Sequence, residues 1–337
     1  MRFQIQFGKD MTSVIKGFAI LFMIILHCAN PKWYDFALDA SCIETIIKYH
    51  DVFKLCVGIF AFMVGYGYAF SKTKDWRYSL QHIKKLLIPF WVILLIFTLP
   101  IAMLHNQTGG LKIVLLNLFG INSELNFLSW FVAFYIYAMI VMPFIARLID
   151  KKPILYTILL IVVSYGLEMV VHTFYTYNDF TQRLFDCLIT PIMLLGYIYA
   201  HLRLFTKIKL PQHWTMTLFA VAIIVVVFVM RYHYRSIFGF NLDFFYAPIF
   251  IFAVLILFNL YKITAFKRVM MLLGDTSVYM WFFHALFFTG AVRWFYQPSI
   301  HVSGNLIIIT LWTTLITFIA SYILIKIQTL ITNYISN

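Results

Sequence analysis

Long apolar blocks separated by short polar breaks set the pattern of this chain. Each block runs to about 20 residues, the length an α-helix needs to cross the hydrocarbon core of a bilayer. Polar breaks follow ten such blocks, near residues 13–29, 51–71, 87–105, 127–147, 153–173, 186–202, 215–231, 244–261, 270–290 and 305–326. In hydrocarbon the backbone must satisfy its own hydrogen bonds, so these blocks predict helices rather than open strands. An eleventh apolar stretch, LKIVLLNLFGI (111–121), is too short to cross and is expected to lie at the surface or re-enter. The expected architecture is an all-α polytopic membrane protein with about ten transmembrane helices. No polar stretch is long enough to bury a core of its own, so residues 1–337 read as one transmembrane domain. The start, MRFQIQFGKDM, is polar and basic, and no small-residue cleavage site follows it; a cleavable signal peptide is not expected.

Composition agrees. Hydrophobic residues make up 63% of the chain and charged residues 12%, against about 25% charged in ordinary soluble domains. The net charge of +13 raises the question of nucleic acid, and its distribution answers it. With the N-terminus placed in the cytoplasm, Lys32, Lys48, Lys54, Lys112, Arg183, Arg231, Arg235 and Arg293 fall outside or within a span, and the other 18 of 26 Lys and Arg fall inside. That asymmetry is the positive-inside signature, expected for a multi-pass plasma-membrane protein with both termini cytoplasmic. A nucleic-acid partner is not expected; the lipid bilayer is. Cys28, Cys42, Cys56 and Cys187 show neither zinc nor redox spacing. Cys28 and Cys42 are close enough in sequence to meet outside the membrane, but apolar packing is the favoured reading for them.

Within this frame a few polar residues stand out. Lys16 and His27 share the first block, eleven residues apart, which places them on one helix face with a rise of roughly 16 Å. Ionisable pairs on a membrane helix turn toward a protein interior or a wet cavity, unless the lysine snorkels and the histidine packs. The segment SKTKDWRYSLQHIKKLLIPFW carries Lys72, Lys74, Arg77, Lys84 and Lys85 against the single acid Asp75. It reads either as a topological anchor on anionic lipid or as a site for a phosphorylated cytosolic substrate. Trp130 falls where an interfacial belt residue is expected. Ser277 and His284, seven residues apart in LLGDTSVYMWFFHALFF, share a face, and His284 is an ionisable group among apolar and aromatic residues. Asp275 is expected to cap that helix, and Gly65 and Gly67 to let helices approach closely. Lys54 sits at a span edge, and Glu168 and His172 are spaced to pair structurally. No metal-ligand spacing, nucleophile elbow or phosphate-binding loop is present.

In order and spacing these residues resemble the acyltransferase-3 family of integral membrane acyltransferases, which includes bacterial O-antigen and exopolysaccharide O-acetylases. Lys16-Gly17-Phe18-Ala19 with His27 looks like the family's first-helix pattern, and Phe62 to Tyr68 (FMVGYGY) is similar to its second helix. His82-Ile83-Lys84-Lys85 before Pro89 resembles a cytoplasmic RxxR element followed by proline. Leu128-Ser129-Trp130-Phe131 and Gly274 through His284 are similar to two later family segments. The likeness covers roughly residues 13–325. Three positions depart from the pattern: Lys16 stands where arginine is common, His82 replaces the first arginine of RxxR, and Val64 replaces a serine.

The resemblance implies a cytosolic acyl-CoA donor, acetyl-CoA by preference, and a hydroxyl acceptor such as a cell-surface or exported glycan. No permanently bound cofactor or metal is implied. Acyl transfer from a thioester needs a base for the hydroxyl proton and donors for the oxyanion. His27 is the expected base, since imidazole titrates near neutral pH, and His284 is expected to orient the acceptor or stabilise charge. Lys16, His82, Lys84 and Lys85 are the expected donor-binding residues, with Trp130 and Ser277 as further substrate contacts. A multi-pass transporter or flippase for a polysaccharide or lipid-linked sugar is the competing reading, because intramembrane His and Lys also suit a proton-coupled pathway. The absence of an evident internal repeat weighs against it.

Overall fold

Helix α1 (Lys9–Cys28) takes in the first apolar block without interruption. A 3₁₀ turn, Pro31–Trp33, follows it. A second 3₁₀ turn, His50–Lys54, leads into α2 (Leu55–Ala69). Next come α3 (Trp76–Val92), a π-helical turn (Ile93–Thr98), α4 (Leu99–Leu104), α5 (Leu111–Leu118), α6 (Trp130–Lys151), α7 (Pro153–Phe174) and α8 (Thr190–His201). The chain closes with α9 (Thr215–His233), α10 (Asp243–Leu260), α11 (Thr264–His284), the short α12 (Arg293–Tyr296) and α13 (Leu306–Ser336). The computed structural model describes residues 2–34, 49–126, 130–174, 190–237, 240–261 and 264–336. Cys42, Cys187, Leu128 and Ser129, and the side chains of Glu168 and His172, lie outside the described residues.

Eight helices among the described residues are long and apolar enough to cross a membrane. They take up eight of the ten expected blocks; the other two correspond to α7 and α8. Helix α8 is described over 12 residues, Thr190–His201. The chain is a multi-pass membrane protein. Its helices differ in what they face: Ala265–Phe287 is mostly buried in protein, whereas Thr215–His233 is mostly not. Exposed valines on α9 (Val221, Val225, Val229) and exposed Leu311, Leu315 and Ile319 on α13 are the surface such helices offer to lipid.

Two elements differ from the sequence expectation. Helix α3 starts at Trp76, so most of the basic segment is helix rather than loop. Asp75 caps it: its Oδ1 accepts from the Tyr78 backbone N–H at 3.0 Å and from Thr73 Oγ1 at 2.9 Å. These donors, the backbone one first, hold the Asp75 carboxyl below the usual carboxylate range. Asp275, expected as a cap, lies inside α11, which begins eleven residues earlier at Thr264. Gly274 does not end the helix there because it serves packing. The π-helical turn was not expected either. Pro100 cannot continue an α-helical ladder and crowds the carbonyl four residues back, and a wider turn just before it relieves that clash.

The chain divides into two compact units, each with its own packing. One comprises Met1–Ala19, Lys54–Ile83 and Phe134–Gly274. Glycines set its closest helix crossings. A Cβ on Gly65 would strike the Met193 carbonyl, one on Gly196 the Phe62 carbonyl, and α2 and α8 interlock there. A Cβ on Gly17 would likewise strike the Met270 carbonyl, and one on Gly274 the Ser13 carbonyl, which fixes α1 against α11. Gly67, expected to act like Gly65, has open space around it. In the same unit buried Arg231 and Asp243 join α9 to α10 through two parallel bonds of 2.7 and 2.8 Å.

The other unit comprises Ile20–Phe53, Lys84–Ala133 and Asp275–Asn337. Aromatic rings surround the end of α11 in it: Phe90 meets Phe282 at 5.2 Å, Phe97 meets Phe283 at 5.4 Å, and Phe131 meets Trp281 edge-on at 5.5 Å. Tyr296 Oη donates to the Phe97 carbonyl in the π-helical turn at 2.8 Å. Rigid contacts therefore hold the last turn of α11, where His284 sits.

Candidate active site

His27 is in the last turn of α1 and His284 is the last residue of α11. Both are buried, His284 completely. They meet edge to edge, Nδ1 of His27 lying 2.9 Å from Nε2 of His284. The ring centroids are 5.0 Å apart with planes inclined by 23°, as an in-plane N–H···N contact requires. Gly17 and Gly274, which set the close crossing of the same two helices, each lie ten residues before their histidine.

The protons on this pair follow from its partners. His284 Nδ1 lies 3.1 Å from the Met280 carbonyl, which can only accept, so Nδ1 carries the hydrogen. In a neutral imidazole Nε2 of His284 is then an acceptor, and the hydrogen shared with His27 belongs to His27 Nδ1. In neutral His27, Nε2 is then the nitrogen that carries the lone pair. A backbone carbonyl thus orients His284, and His284 orients His27, in the tautomer a general base needs.

Around the pair, the turn after α1 folds back. Trp33 stacks on His27 with centroids 4.7 Å apart and planes 14° apart, and Phe288 stands near both rings. Tyr34 Oη donates to the Cys28 carbonyl at 2.9 Å, and the buried Cys28 thiol faces Thr310, Thr313 and Tyr34.

The other expected residues spread along the helices. Lys16 is half-buried on α1, and the unbroken helix keeps it on the His27 face about 16 Å below. His82, Lys84 and Lys85 all lie on α3. His82 Nδ1 is 2.9 Å from the Tyr78 carbonyl and its ring stacks on Tyr78, whereas Lys84 and Lys85 are exposed. Lys74 is committed elsewhere: its Nζ reaches Asp150 Oδ2 at 2.8 Å and Tyr197 Oη at 2.9 Å, while His201 lies 3.1 Å from the same carboxylate. Ser277 is buried on α11, about 10 Å along the axis from His284. Trp130 opens α6, but its neighbour Phe131 makes the contact with Trp281. Sequence reasoning missed Trp33 and Gln297, whose Nε2 bonds the Trp33 carbonyl; a lone glutamine between aromatics and a proline (RWFYQPS) was the available signal.

Compared with known proteins, residues 13–326 match the acyltransferase-3 family model, described as an acyltransferase domain. No curated protein and no solved structure matches the chain.

Proposed function

The chain belongs to the acyltransferase-3 family and is a membrane acyltransferase, and from that premise we propose that it moves an acetyl group from cytosolic acetyl-CoA to a hydroxyl of a cell-surface or exported glycan at the plasma membrane. The observation that carries this reading is the His27–His284 contact, an oriented base buried in the helical bundle. In the proposed step Nε2 of His27 takes the acceptor's hydroxyl proton as the oxygen attacks the thioester carbonyl. The carbon–sulfur bond then breaks, the proton passes to the leaving sulfur, and the products are an ester and free CoA thiol. His284 holds His27 in register and accepts its Nδ1–H as positive charge develops on the ring.

Donor phosphates belong on the cytoplasmic side in this account. Exposed Lys84 and Lys85 suit them, with Lys16 further along toward the base. Lys74, engaged by Asp150, contributes to fixing the turn before α3 instead. The test is direct: purified protein in lipid is incubated with acetyl-labelled acetyl-CoA and membrane glycan. Glycans of cells with and without the gene are compared for ester groups. Label in an alkali-labile glycan ester that depends on the protein supports the proposal; CoA release or ester content unaffected by the protein contradicts it.

A further inference from the structure

His27 has two ring neighbours in different geometries. His284 meets its edge, while the indole of Trp33 lies against its face, 4.7 Å between centroids and 14° between planes. Trp33 is held there by more than apolar contact. Gln297, 2% exposed, donates from Nε2 to the Trp33 carbonyl at 2.6 Å and to the Phe287 carbonyl at 3.0 Å. Those two bonds use both hydrogens of the amide. They tie the turn after His27 (Pro31–Trp33) to the turn after His284 (Ala285–Phe287).

An indole face carries the negative part of the ring quadrupole and attracts a cation within about 6 Å of its centroid. Toward a neutral imidazole it offers packing alone. The stack therefore discriminates between the two protonation states of His27. We infer that Trp33 is a positioning residue that favours the protonated form of His27, with Gln297 as the clamp that keeps the indole in place. This rests on the reading of His27 as the base: the ring is a cation only between taking the acceptor's proton and passing it to the leaving sulfur.

Among the described residues, His284 meets the edge of His27, Cys28 follows it on α1, and Tyr34 lies in the turn after, where it bonds the Cys28 carbonyl. Burial first, and then Cys28, push the Tyr34 phenol up, so it stays neutral across the range in which an imidazole titrates. Met280 holds His284 by its carbonyl. The indole is stacked on the ring, and its removal weakens the charged form without adding or deleting a charge.

The experiment follows the His27 protonation midpoint by NMR in the full chain, histidine-labelled in lipid nanodiscs, with the signal assigned by its loss in His27→Gln. No substrate is needed. Trp33→Leu keeps apolar cover but removes the quadrupole, and the midpoint is expected to fall by roughly half to one and a half pH units. Trp33→Phe keeps a weaker aromatic face and is expected to fall by less; it carries the same test where the leucine variant does not fold. A midpoint unmoved in either folded variant overturns the inference. The two readings part cleanly, because an active His27→Gln enzyme would remove the base while leaving the titration result standing.

Discussion

Nδ1 of His27 lies 2.9 Å from Nε2 of His284, two side chains 257 positions apart in sequence. Because the Met280 carbonyl fixes the hydrogen on His284 Nδ1, His284 acts through His27 in the proposed mechanism. Replacing it by leucine removes the acceptor for His27 Nδ1–H. A lost hydrogen bond to a group that becomes charged is worth about 1.5–3 kcal/mol, or roughly ten- to a hundred-fold in rate. His284→Leu should therefore lower kcat by that order with little change in donor KM. Steady-state kinetics check it; a raised KM at constant kcat would assign His284 to substrate binding instead.

The crossing of α1 and α11 depends on two glycines that touch neither histidine. Gly17→Ala and Gly274→Ala each drive a methyl group into a carbonyl, of Met270 and of Ser13 respectively. Overpacking of this kind is destabilising by about 1–3 kcal/mol. Both variants should unfold at lower temperature in detergent and transfer acyl groups more slowly. Gly67→Ala, which meets open space, should match the native protein in the same assay.

Arg231 and Asp243 are 3% and 6% exposed at their side chains and pair in bidentate geometry. Asp243→Ala leaves a guanidinium buried without its carboxylate, a loss of about 3–5 kcal/mol. Thermal unfolding should show a large drop for that variant and a much smaller one for Arg231→Met with Asp243→Leu. A single variant as stable as the native protein would mean water reaches the pair.

On α3, Lys84 and Lys85 are exposed and free to meet donor phosphates in the proposed mechanism. Charge-assisted contacts of this type are worth about 1.5–3 kcal/mol each. Lys84→Ala with Lys85→Ala should raise the acyl-CoA KM ten-fold or more at nearly unchanged kcat. Unchanged KM in the folded double variant would return this helix to a topological role.

Much of the architecture was legible because block length and apolarity alone mark a membrane helix. His27 and His284 could be singled out because an imidazole inside such a block needs a reason. Their pairing was not legible, since nothing in a single chain links positions 27 and 284 beyond a glycine ten residues before each. Asp275 was misread because aspartate after glycine signals a helix start in water, whereas here Gly274 serves close packing inside a continuing helix. Arg231 entered only the sorting of basic residues by side and Asp243 was not singled out, because their contact is made across a turn at the ends of two helices. Trp33 lay in a polar break, where a tryptophan looks like an interfacial residue until the fold places it on a histidine.

The most direct measurement is acyl transfer by His27→Gln, which keeps hydrogen-bonding capacity at the site and removes the basic nitrogen. The variant should insert and fold like the native protein, bind acetyl-CoA with similar affinity, and lose about 10²–10⁴-fold in turnover. A folded, inserted His27→Gln protein that turns over at near the native rate would contradict the account, leaving His27 a packing residue and the chemistry elsewhere.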